Sequence, residues 1–152
     1  MRAITAVAAA FNLVAVSACM TMPPIQTASG QPEITLSNVD VQCVRSGFLN
    51  LLVNQRFAVK SATDLQIVAG KVTDNFSAAL LLGTQFSGAP EDRITILFVP
   101  LADSGLRVIV SEQYVSNAGT GFEKPTPIGQ TQIVQNQFET AGQQIQMGCG
   151  RV

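Results

Sequence analysis

The chain holds 152 residues, enough for one domain of ordinary size and too few for two. Only 12% of the residues are charged, nine Lys/Arg against ten Asp/Glu with no basic stripe or acidic tail, so the electrostatic footprint of a nucleic-acid binder is missing. Histidine is absent too, which removes the commonest general base and the commonest transition-metal ligand and weakens hydrolase and zinc-site readings.

Arg2 supplies a positive start, and Ala3 to Val16 form an apolar run of fourteen residues broken only by Thr5 and Asn12. A membrane-spanning helix needs about 20 apolar residues, so this shorter run, closed by the small Ser17 and Ala18, has the layout of a cleaved secretory signal over residues 1–18. Its removal takes away Arg2 alone and leaves eight cations against ten anions. The four residues Val16-Ser17-Ala18-Cys19 resemble the lipobox of bacterial lipoproteins. That resemblance implies cleavage after Ala18, a diacylglyceryl group on the sulfur of Cys19 and acylation of the freed amine. Each buried methylene contributes about 0.8 kcal/mol and one chain alone holds only marginally, whereas two or more hold stably. Met20 stands where enteric lipoproteins kept in the inner membrane carry Asp, so the expected site is the outer membrane, facing the periplasm. The residues also allow a plainer reading, in which Val-Ser-Ala serves ordinary signal peptidase and Cys19 stays a free thiol.

Residues 19–32 are uncharged and rich in Pro, Thr, Ser, Gln and Gly, the composition of a tether, and residues 33–152 form the single folded domain. "PEITL" is a short strand-like piece. Val41, Val44, Phe48, Leu51 and Leu52 then recur at three- and four-residue spacing, which predicts an amphipathic helix over 38–55 with Ser37 and Asp40 at its start. "FAVKSATDLQIVAGKV" predicts two strands about a turn at 61–64, and "DNFSAALLLG" a short helix capped by Asp74 and stopped at Gly83, with a strand as the alternative. Residues 83–92, "GTQFSGAPED", are a loop by composition. "RITILFVPLADSGLRVIVSEQYVSN" predicts a long hairpin turning at Asp103-Ser104-Gly105, with Pro100 at an edge or bulge. "AGTGFEKPTP" reads as loop, and Thr131, Val134, Phe138, Ala141 and Ile145 mark a last helix over 128–147. The expected fold is α+β, an antiparallel sheet of about four strands with the N- and C-terminal helices packed on one face. In this order of elements the body resembles small proteobacterial envelope lipoproteins, a likeness that brings structural motifs and no activity.

Chemistry-bearing constellations are few. With Cys19 assigned to the anchor, Cys43 and Cys149 remain, and an exported chain permits them to pair; the alternative is one small buried thiol and one in a loose terminus. Glu91 and Asp92 are the one adjacent acidic pair and read as solvated loop charges before Arg93. Ser104 has no histidine to activate it and reads as a turn residue. "GTGFEK" lacks the strand-to-helix setting of a phosphate loop, because Pro125 follows Lys124. Phe86 and Phe122, aromatic residues in predicted loops, are the candidate binding surface. No catalytic residue, cofactor, metal or nucleic acid is expected; the expected partners are the membrane and an envelope protein. The leading expectation is a non-enzymatic accessory or scaffold lipoprotein, and the rival is a carrier of a small ligand or lipid between the helices and the sheet.

Overall fold

The richest β-branched runs in the chain pair with each other: β4 (Glu91–Pro100) and β5 (Leu106–Ser116) form an antiparallel hairpin in unbroken register from Glu91 opposite Val115 to Pro100 opposite Leu106. A computed structural model describes residues 25–73, 89–102 and 104–150. Around the hairpin it places β1 (Glu33–Leu36), α1 (Val41–Asn54), β2 (Ala58–Ala62), β3 (Gln66–Val72), β6 (Lys124–Pro127) and α2 (Gln132–Cys149).

The class is α+β, as expected, but the antiparallel sheet has six strands among the described residues where about four were predicted. Its order is β1-β5-β4-β3-β2, with β6 also on β5. β1 faces Leu106 to Ile109 and β6 faces Gln113 to Ser116, so the two share one side of β5 end to end. β6 was hidden because its sequence, KPTP, holds two prolines. A short strand on the rim tolerates them, since only one side of it needs ladder donors. The turn between β2 and β3 falls at 63–65, and β2 carries a bulge between Val59 and Ser61.

Period-2 alternation sends Ile67, Ala69, Ile96, Phe98, Val108 and Val110 to one face, where they form the core with Val44, Phe48 and Leu52 of α1. Phe48 sits at its centre, with ring centroids 6.0 Å from Phe98 and 5.6 Å from Phe138 of α2. Asp40 caps α1 by accepting a hydrogen bond from the Cys43 amide at 2.8 Å, so that helix begins at Val41. On α2, Phe138 and Ile145 of the predicted stripe pack against the core, yet Gln135 and Gly142 are among its most buried positions. Gly142 is there for close approach: a Cβ would come within 2.7 Å of Ile34 Cδ1 on β1.

Two expectations change in this frame. Residues 27–32, assigned by composition to the tether, are folded: the Thr27 hydroxyl donates to the Gln31 carbonyl at 2.6 Å, the Gly30 amide to the Thr27 carbonyl at 3.2 Å, and Pro32 is fully buried. Glu91 and Asp92 open β4 rather than a loop. The segment 74–83, with its predicted cap and stop, lies outside the described residues, as do Cys19 and Phe86.

Candidate functional site

Cys43 near the start of α1 and Cys149 at the end of α2 form a disulfide, with Cα atoms 5.5 Å apart and 106 residues between them in sequence. The Asp40 amide donates to the Cys149 carbonyl at 3.0 Å, and Val39 bridges to Gly150. The sheet therefore has a stapled end, which also holds the 63–65 turn, and a distal end made by the close of β3, the start of β4, the close of β5 and β6.

The distal end carries the densest charge network. Glu91, only 7% exposed, accepts from Lys60 Nζ at 2.6 Å and from Arg93 Nε at 2.9 Å. Its carboxyl lies over Gly70, where any Cβ would overlap it, so the missing side chain on β3 makes the room that this buried anion occupies. Arg93 reaches past it to Glu123, which accepts from both terminal guanidinium nitrogens at 2.9 Å. Glu123 also accepts from the Gly119 amide at 2.7 Å. The Arg93 fork and that amide pull its carboxyl down to about 2, and the same pairing raises Arg93.

This clamp fixes the loop 117–123. Asn117 and Gly119 take left-handed backbone, the Thr120 hydroxyl donates to the Asn117 carbonyl at 2.7 Å, and the Phe122 amide donates to that hydroxyl oxygen at 3.1 Å. Asn117 Nδ2 closes the loop on the Phe122 carbonyl at 3.3 Å. The result is a rigid tip that presents Phe122 at 84% exposure. Among the described residues, and apart from its chain neighbours, nothing lies within 4 Å of where a Cβ on Gly119 or Gly121 would sit. Phe122, read as a candidate surface residue, is therefore at the surface.

On the helix-covered face, a cleft of about 160 Å³ opens between α1, α2 and the sheet, walled by Phe48, Leu51, Ile94, Val110, Val134 and Phe138. Glu112 closes its polar side and also lines two neighbouring clefts of about 250 and 340 Å³. Burial raises the Glu112 carboxyl, a hydrogen bond from Gln130 opposes this, and nearby Asp92 adds to the rise. Sequence reasoning missed Glu112 because it sits in an alternating strand as an ordinary outward-facing acid would. The missed signal is phase, since Glu112 falls in step with the core residues Val108 and Val110.

Among the described residues, no cluster of three or more Cys, Asp or Glu could hold a metal ion, and no helix is long and apolar enough to cross a membrane. The sheet keeps Glu91 on the face opposite Glu112, whereas Asp92 shares the cleft of about 250 Å³ with Glu112. No protein-family model and no curated protein matches the chain.

Proposed function

We propose that the chain is an exported envelope lipoprotein, held by lipid on Cys19 at the outer membrane, whose domain serves as a non-enzymatic accessory or scaffold in a protein assembly. The observation that carries this reading is the placement of Val16-Ser17-Ala18-Cys19 at the end of the apolar run. The Cys43–Cys149 disulfide supports export, because such bonds persist in oxidising compartments. The non-enzymatic part of the reading draws on a chain without histidine. Intact mass of the membrane-extracted protein beside a Cys19→Ser variant tests the anchor. The expected wild type begins at residue 19 with added acyl mass; an unmodified wild type would overturn the reading.

The apolar cleft favours a second reading as a small-ligand carrier. At about 160 Å³ it falls below the roughly 300 Å³ at which pockets for drug-sized ligands begin, which keeps the scaffold reading first. Lipid co-purifying with the Cys19→Ser chain would reverse that order.

A further inference from the structure

We infer that the distal end of the sheet, tipped by Phe122, is the surface that the domain lays on the anionic bilayer to which it is tethered. The inference rests on the anchored reading and adds an orientation to it.

The path of the chain sets the geometry. Pro32 accepts from the Val110 amide, Gly30 and Gln31 line a cleft with Ser111, Gln113 and Pro127, and β1 then runs away from this region toward the stapled end. The chain thus joins the fold from the distal side. Five residues, 20–24, separate Cys19 from the first described residue, six Cα steps with a reach of about 21 Å. β5 alone, with 11 residues, is about 37 Å long, so the tether brings the distal end to the headgroups before the stapled end.

Charge follows the same axis. All three lysines of the chain, Lys60, Lys71 and Lys124, belong to the distal half of the sheet, and Arg56 stands in the turn that leads into β2 there. Of the acids at this end, Glu91 and Glu123 are held by Lys60 and Arg93, and Asp92 and Glu112 are half-buried along one cleft on the helix-covered face. Arg45 and Arg107, on the other side, are matched by Asp64 and Glu33. The distal rim therefore shows exposed cations, Arg56 and Lys124, beside its aromatic tip, and a basic rim complements anionic headgroups.

The tip has the form of a wedge. A protein-binding anchor sits in a well-packed patch whose surrounding contacts exclude water, whereas Phe122, 84% exposed, follows Gly119 and Gly121 on a turn and has no apolar neighbour in contact among the described residues. An aromatic ring on such a turn can enter the headgroup layer while its backbone hydrogen bonds stay closed, so insertion orders nothing new.

The test uses the oxidised chain from residue 19 with Cys19→Ser, sedimented with vesicles of phosphatidylethanolamine and phosphatidylglycerol and with vesicles of phosphatidylcholine. Binding is expected to the anionic vesicles alone, weakened about tenfold by Phe122→Ser and by Lys124→Glu. Met147→Ser, which alters an 81%-exposed apolar residue near the stapled end, is expected to change nothing. Unchanged thermal midpoints establish that the variants fold. No binding to anionic vesicles, binding insensitive to both distal variants, or an equal loss with Met147→Ser overturns the inference. The intact mass of the wild type separates the two ideas: acylated Cys19 with no vesicle binding removes the surface and keeps the anchor, whereas unmodified Cys19 removes both.

Discussion

The side-chain amide of Gln135 on α2 closes the free edge of β1 at Glu33. Gln135 Oε1 accepts from the Glu33 amide and Gln135 Nε2 donates to the Glu33 carbonyl, both at 2.8 Å, in the pattern that a neighbouring strand would provide. At 4% exposure no water replaces it. Gln135→Leu leaves a buried donor and acceptor unsatisfied, at about 1–3 kcal/mol each, so a loss of about 2–6 kcal/mol is expected in urea unfolding. Hydrogen exchange at the Glu33 amide should accelerate in the same variant; unchanged exchange would show that the cap contributes nothing.

Gly70→Ala forces the Glu91 carboxyl off its seat and away from Lys60 and Arg93. Breaking a buried pair costs about 3–5 kcal/mol, and partial relaxation of the flexible glutamate brings the expected loss to about 2–4 kcal/mol. Gly70→Ala combined with Glu91→Ala should recover part of it. A double variant no better than the single one would mean that the clash lies elsewhere.

Reducing the Cys43–Cys149 bond frees a loop of about 100 residues, worth up to about 4.7 kcal/mol in the chain-entropy treatment. Cys149→Ser should lower the thermal midpoint by up to about 15 °C and abolish its dependence on reductant. A midpoint insensitive to reductant in the wild type would contradict the staple.

Glu112 is raised in the fold, first by burial, so its ionisation opposes folding. The sign follows: the cost is present at neutral pH, diminishes as pH falls through the raised value, and is gone below the unfolded value of about 4.3. Glu112→Gln should therefore be more stable than wild type at pH 7 and equal to it at pH 3.5. A difference that grows toward low pH would refute this.

Glu123 behaves in the opposite sense. Arg93 and the Gly119 amide hold it at about 2, so the support that it gives the loop is complete above the ordinary carboxylate range and is lost as pH falls through about 2. The Gly119 amide resonance should titrate with that midpoint, and in Arg93→Gln the midpoint should move up toward 4.3.

Periodicity made α1, α2 and the β4–β5 hairpin legible, because an apolar face repeats at 3.6 or at 2 residues whatever it packs against. β6 was not legible, since its prolines report a loop unless a partner strand is known. Gln135 carried no signal at all: its importance comes from β1, 102 residues away in sequence. The same holds for Glu91, whose carboxyl is buried over Gly70, two residues along β3 from its paired Val72. Cys43 and Cys149 could be proposed as partners by counting, but their proximity depends on where the two helices end. Phe122 was legible as an aromatic residue in a loop, while the rigidity of that loop rests on Arg93, thirty residues earlier.

The staple also determines how the domain bears mechanical load. Between Cys43 and Cys149 the chain is a covalent ring that contains most of α1, every strand except β1, and α2. A pull applied between residue 25 and residue 150 passes through β1, across the sulfur bridge and out again, and leaves the ring unstretched. Force can peel four residues of β1 from β5, in shear along the strand, and extend the chain as far as Cys43. A molecule hung from its amino-terminal end would yield there by a short, reversible extension, and its Phe122 tip would keep its shape under tension.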